Sequence, residues 1–402
     1  MTDADGRSGH DGRAVRSARY AMAAVFCVHG AVSGSFATRV PWIQDHVSAN
    51  PGQLGLALAF PALGASVGMP CAGWLSHRFG ARPALSGLVS LCLLSLALPS
   101  LAPTLPTLCA ALFVYGGTLG MTDVAMNAQG VQIENRMGRS IMSGLHGMWS
   151  GGALLGSLGG TLAAHLGADA RLHHALAAVL FTLVGVTACR WSLDLTPDTE
   201  DEPPRFALPP RSALLIGAVG LCAMFAESAS LDWSAVYLRS HLDTSAAVAA
   251  ASTTGFTLTM AVTRLAGDAV VDRFGAVRTM RGGGVLATAG GVLVVTAPHP
   301  VPAMLGFALI GLGIAVSVPL AFAAAGRSEG NPTQAIAGVA TIMYAAGLVA
   351  PSAIGAIAQT TSLVVSFGVV TVLAGGLFVG AGVMRPVTRT ARITGEAPTK
   401  AT

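Results

Sequence analysis

The residues able to do chemistry in this chain are few, and several stand alone inside apolar runs. Glu227 lies near the middle of the run 213–238, with Asp232 and Trp233 further along it and Arg39 near the end of another run. Charge inside hydrocarbon is expensive, so each such residue is a functional candidate by default. A poorly solvated carboxylate at Glu227 is suited to take and release a proton near neutral pH or to grip a polar solute. The competing reading is a protonated structural carboxyl bonded to a neighbouring helix. Asp123 and Asn127 are four apart and share one helix face, with Gln129 just beyond. Unpartnered, such groups would cost several kcal/mol in lipid, so that face must look inward, toward a solute or a neighbouring helix. His146 and Trp149, three apart, offer a titratable group and a stacking surface, although His146 lies near a segment end where it could equally anchor a loop. Glu134, Arg136 and Arg139 bound that loop and read as gate or topology residues.

Other chemistries are missing from the pattern. No glycine-rich loop ends in Gly-Lys-Ser/Thr, so ATP is not expected as a partner and the energy source must be an ion gradient or the solute's own gradient. Gly152, Gly156 and Gly160 recur every fourth residue, the spacing that lets membrane helices approach closely. The six cysteines all fall in apolar stretches without metal-ligand spacing and read as packing residues. No nucleophile motif or His/Asp/Glu metal cluster is visible, so the chain is expected to be no enzyme and to carry neither metal nor cofactor. Its net charge of +4 is spread over short loops and is no nucleic-acid signal.

The elements that must hold these residues are membrane spans. Only 10% of the 402 residues are charged, against about 25% in a soluble domain. The runs 83–122, 282–326 and 332–384 contain no Asp, Glu, Lys or Arg at all. Each is long enough for two spans of roughly 20 residues and a turn. Breaks at Pro, Gly and charge predict twelve transmembrane helices: 20–44, 53–75, 83–101, 105–132, 142–166 and 172–192, then 213–238, 246–267, 278–297, 302–325, 334–356 and 362–384. Residues 193–212, with Asp194, Asp198, Glu200, Asp201 and Glu202 among prolines, are predicted to be a cytoplasmic linker between six-helix halves at 20–192 and 213–384. Residues 1–19 and 385–402 are predicted to be cytoplasmic tails. With the N-terminus inside, twenty of the twenty-three basic residues fall at the cytoplasmic side, and only Arg39, Arg171 and Arg239 fall outside. No convincing cleavage site follows the first apolar run, which is expected to be retained as a span.

The halves carry an internal repeat. Arg78-Phe79-Gly80-Ala81 and Arg273-Phe274-Gly275-Ala276 stand 195 residues apart, after the second and the eighth span. Two halves in the same orientation are the parallel repeat of a rocker-type transporter. The chain resembles the major facilitator superfamily over nearly its whole length. The stretch 73–82, with Gly73, His77, Arg78, Gly80 and Arg82, resembles that superfamily's loop 2–3 signature, and Arg264, Gly267, Asp268, Asp272, Arg273 and Gly275 resemble the counterpart in loop 8–9. The signature's usual acidic residue is His77 here, which puts a carboxylate-dependent gate in doubt in the first half, whereas Asp272 keeps it in the second. The stretches 37–41, 123–129 and 232–238 are similar to a bacterial inner-membrane branch near the fucose–proton symporters.

The resemblance implies an all-α membrane protein of two pseudo-symmetric halves, working in the bacterial inner membrane as a monomeric secondary transporter. The solute is expected to be small and polar, in the manner of a sugar, and moved by a permease or symporter coupled to protons. A proton-driven exporter of cationic or amphipathic compounds is the alternative; a receptor or scaffold without transport is a remote one. The repeat maps Arg39 onto Ser234, so Arg39 and Asp232 are expected at similar depth and to pair across the halves when the outer gate closes. Otherwise Arg39 reaches lipid headgroups.

Overall fold

The computed structural model describes residues 3–138, 141–193, 211–325, 327 and 332–385. The predicted linker and Arg139 fall almost wholly or wholly outside them. Among the described residues fifteen α-helices make twelve membrane-length rods, because three rods are broken once. They are α1 (Asp3–Ala37) with α2 (Val40–His46), α3 (Pro51–Phe79), α4 (Ala81–Ser95) with α5 (Leu98–Leu101), α6 (Leu105–Met137), α7 (Met142–His165) and α8 (Ala170–Cys189). The second half repeats the series with α9 (Arg211–His241), α10 (Ala246–Phe274), α11 (Ala276–Thr296), α12 (Pro300–Ile314) with α13 (Ser317–Ala325), α14 (Pro332–Thr360) and α15 (Leu363–Gly380). Among the described residues, ten rods are long and apolar enough on their own to cross a bilayer; glycine-rich α7 and α11, which opens with Arg278 and Arg281, are not among them.

Proline sets the three breaks. Pro41, Pro99 and Pro319 stand four residues after Ala37, Ser95 and Ala315, and a proline has no N–H to give the carbonyl four back. Several helices outrun the apolar limits: α1 begins at Asp3 rather than near 20, and α10 continues to Phe274 rather than 267. Polar turns at a helix end cost nothing once they leave the hydrocarbon.

The repeat is conformational as well as sequential. Gly80 and Gly275 both have positive φ, 87° and 78°, with extended ψ, and each joins two rods at a sharp bend. That region is open essentially to glycine alone. Within the first half, α1 and α7 pack backbone to backbone. A Cβ at Gly152 or Gly156 would fall on the carbonyl oxygen of Cys27 or Ala31, and one at Gly30 or Gly34 on that of Trp149 or Ala153. The four-residue glycine spacing therefore serves packing, as expected.

The halves meet along two seams. On one, Ser157 and Thr257 share a hydroxyl hydrogen bond of 3.0 Å and Thr161 and Thr254 one of 2.8 Å, and Gly147 lies against Leu265. On the other, Gly55 abuts Pro351 and Gly355, Ser352 donates to the Gly55 carbonyl, and the Gly52 N–H donates to Gln359. The contacts of the second seam sit at the end of the bundle remote from the chain termini. Toward the terminal end, Trp74 and Phe274 are exposed and Gly73 meets nothing.

Candidate functional site

Between the halves lies a cavity of about 20 Å³, lined by Ser33, Trp149, Ser150, Glu227, Thr257 and Arg264 among others. It holds room for about one water. Its floor is an ion pair: Arg264 Nη2 donates to Glu227 Oε1 at 2.8 Å, and both side chains are mostly buried, 22% and 16% exposed. Arg264 also donates from Nη1 to Ser150 Oγ at 3.3 Å and from Nε to the Ala315 carbonyl at 3.4 Å. One guanidinium thus ties α10 to α7 across the halves, to α9, and to the break between α12 and α13. The last contact has a sequence cause. Pro319 leaves the Ala315 carbonyl without its helical partner, and Arg264 supplies one. Glu227 Oε2 is buried without a partner among the described residues.

Arg264 is misassigned by the sequence reading, which places it in the loop 8–9 signature. It stands ten residues before α10 ends and belongs to the central site. Of the rest of that signature, Asp272, Arg273 and Gly275 are exposed and Gly267 is buried against Val316. The side chain of Asp268 lies outside the described residues. In the first half, Gly73, His77 and Arg78 are exposed and Arg82 is half-buried.

A second polar group lines the first half nearby. Trp149 donates its indole N–H to His29 Nδ1 at 3.0 Å, and His29 Nε2 lies 3.2 Å from the Leu119 carbonyl. An indole only donates, so Nδ1 must accept and Nε2 must carry the proton: His29 is a neutral imidazole with its tautomer fixed. Asp123 bears electrostatically on both His29 and His146. Asn127 donates to Asp123 twice, to its carbonyl at 2.8 Å and its Oδ1 at 3.2 Å, so the face-sharing read from the spacing exists. His146 is exposed and edges onto the Phe26 ring at 5.4 Å. His29 is absent from the sequence candidates, since a lone histidine in an apolar run gives no spacing signal.

Three expectations need correction. Gln129 is buried, and its Nε2 donates to the Leu193 carbonyl at 2.9 Å, so it fastens α6 to the end of α8 instead of lining a cavity. Trp233 is fully buried in the core of the second half. Arg39 and Asp232 do not pair. Arg39 is buried at the kink between α1 and α2, where its guanidinium donates to the Ala168 carbonyl beside Asp169, and Asp232 accepts from Ser228 Oγ at 3.2 Å. Each finds a partner within its own half, which removes the drive to reach across. Glu134 accepts from the backbone N–H groups of Ile141 and Met142 at 2.6 and 3.0 Å and so anchors the start of α7.

Comparison with known proteins agrees with this architecture. The family model described as Major Facilitator Superfamily matches residues 21–231. The chain is 34% identical over 368 residues to an uncharacterised transporter of Sinorhizobium fredii, covering 90% of this chain and 97% of that one. It is 33% identical over 365 residues to an uncharacterised MFS-type transporter of Yersinia pestis, covering 90% and 94%. Two solved structures share the fold. A D-xylose–proton symporter superposes with a TM-score of 0.69 at 15% identity, over 92% of this chain and 97% of that one. A nucleoside transporter superposes with a TM-score of 0.72 at 10% identity, over 91% and 99%.

Proposed function

The chain belongs to the major facilitator superfamily of transporters, and on that premise we propose that it carries a small polar, sugar-like solute together with protons by alternating access. In this reading it works as a monomer in the bacterial inner membrane with both termini in the cytoplasm, so the second seam closes the outer face. The observation that carries the proposal is the Glu227–Arg264 pair in the central cavity, bonded across the halves to Ser150. A cavity with room for one water is too small for a sugar, so solute enters only when the halves move apart and the Arg264–Ser150 bond opens. Solute hydroxyls then take the place of Ser150, with Trp149 as an apolar wall. A proton on Glu227 releases Arg264, which couples protonation to the same movement. Direction follows from the affinities of the two faces, since a solute shifts the equilibrium only by its preference for one state. The solutes named for the symporter and the nucleoside transporter of like fold, one a pentose, support the polar class.

One observation favours the second reading, export of cationic or amphipathic compounds. Asp123 and Asp232 form no ion pair with any described residue, and a cationic guest would supply the missing charge. Thermal unfolding of the detergent-purified protein with sugars, nucleosides and cationic amphiphiles, at pH 6 and pH 8, separates the two. A ligand at about 100 times its Kd adds roughly 2.7 kcal/mol. Stabilisation by a polar solute that varies with pH and vanishes in Glu227→Gln is expected; stabilisation confined to cationic amphiphiles would reverse the assignment.

A further inference from the structure

A groove of about 610 Å³ lies far from the central site, between the terminal ends of α1 and α8. Its walls include Ser17, Tyr20 and Ala24 from α1 and Leu183, Thr187 and Trp191 from α8 and its end. It opens outward from the bundle: Tyr20 is 70% exposed and Trp191 55%. We propose that this groove binds an anionic phospholipid of the leaflet on the terminal side.

The residues are layered by depth. Ser17, Tyr20 and Ala24 follow a three-then-four spacing and share one face of α1; Leu183, Thr187 and Trp191 are four apart on the other wall. Ala21 and Ala188 are buried at its base, and Ala24, Leu183 and Val184 form the apolar part furthest from the chain terminus, suited to acyl chains. Tyr20 and Trp191 stand above them, where amphipathic rings sit at the boundary of hydrocarbon and headgroup. The arginines lie beyond. Arg13 precedes Ser17 by four residues and Arg16 precedes Tyr20 by four, continuing the same stripe, and Arg190 adjoins Trp191. Arg13, Arg16 and Arg190 are all exposed. Apolar floor, aromatic rim and basic mouth complement the chains, glycerol and phosphate of an anionic lipid in that order. The hydroxyls of Ser17 and Tyr20 add donors at headgroup level. The groove faces the bilayer and shares no residue with the cavity that holds Glu227 and Arg264, so the inference does not rest on what is transported.

The test is native mass spectrometry of the delipidated full chain, titrated with phosphatidylglycerol or phosphatidylcholine of identical acyl chains. One phosphatidylglycerol should be retained at concentrations where phosphatidylcholine gives only the statistical spread of weak adducts. Each arginine near an anionic lipid surface contributes roughly fivefold, so Arg13→Gln with Arg190→Gln should weaken retention roughly 25-fold. The control Arg278→Gln with Arg385→Gln removes the same charge elsewhere at this end and should retain the lipid. Thermal unfolding of both double variants near that of the parent shows that the fold is intact. Equal retention of the two lipids, or equal loss in the control, would overturn the assignment, as would glycerol 1-phosphate displacing the lipid at similar concentration, which would mark a site for free phosphate.

Discussion

Breaking the Glu227–Arg264 pair at both partners should cost less than the two single losses added together. The contact is 2.8 Å long between side chains that are 16% and 22% exposed, which places it nearer a buried pair than a surface one. Removing one partner of a buried pair costs about 3–5 kcal/mol, because the other charge stays behind without compensation. The slight exposure argues for the lower figure, about 3 kcal/mol. Arg264→Gln is the harsher change: Glu227 Oε2 already lacks a partner, and Oε1 would lose its own. Glu227→Gln leaves Arg264 with Ser150 and the Ala315 carbonyl and should cost less. The double variant carries two neutral amides of similar size and should recover roughly 1–3 kcal/mol of the summed loss. Thermal unfolding in detergent measures this, at roughly 2–4 °C per kcal/mol for a domain of this half's size. A double variant whose loss equals the sum of the singles to within about 0.5 kcal/mol would show that the pair carries no coupling and refute the reasoning.

The close approach of α1 and α7 predicts that Gly152→Ala, whose Cβ would lie 1.8 Å from the Cys27 carbonyl oxygen, costs about 1–3 kcal/mol or more, whereas Gly151→Ala, which meets nothing, is neutral or stabilising. Unfolding midpoints of the two variants compare the sites directly. Gly80→Ala and Gly275→Ala should each lose about 1–3 kcal/mol through backbone strain, and equal stability of either with the parent would contradict the shared bend. Trp149→Phe keeps the ring but leaves His29 Nδ1 without its donor, a loss of about 1–3 kcal/mol; nitrogen NMR of the parent should find Nδ1 unprotonated.

Most of the fold is legible because hydrocarbon imposes its rule on every residue of a span. Charge-free runs, proline breaks and basic loops locate the rods, and the repeated Arg-Phe-Gly-Ala marks the pseudo-symmetry that Gly80 and Gly275 express in their dihedrals. The site is legible in part. Glu227 stands out through its depth in an apolar run. Arg264 does not, because it stands three residues before the predicted span end at 267 and is grouped with the loop signature that follows, although the helix continues to Phe274. The place of Gln129 is implicit in helix geometry: two residues past Asn127 is about 200° round a helix, on the opposite face. Trp233 likewise lies about 100° from Asp232 and turns into the core. The pairing of Arg39 rested on depth alone. Partners lie in the third dimension, and the Ala168 carbonyl that holds Arg39 belongs to a loop 129 residues away.

Proton movement driven by a solute tests the central claim most directly. The full chain in liposomes loaded with a pH-sensitive dye would be offered pentoses, hexoses and nucleosides in turn, without a preset gradient. The account predicts that at least one of these solutes draws protons inward with it in the parent protein, and that Glu227→Gln abolishes the signal. Solute uptake without proton movement in the parent, or undiminished proton movement in Glu227→Gln, would contradict it.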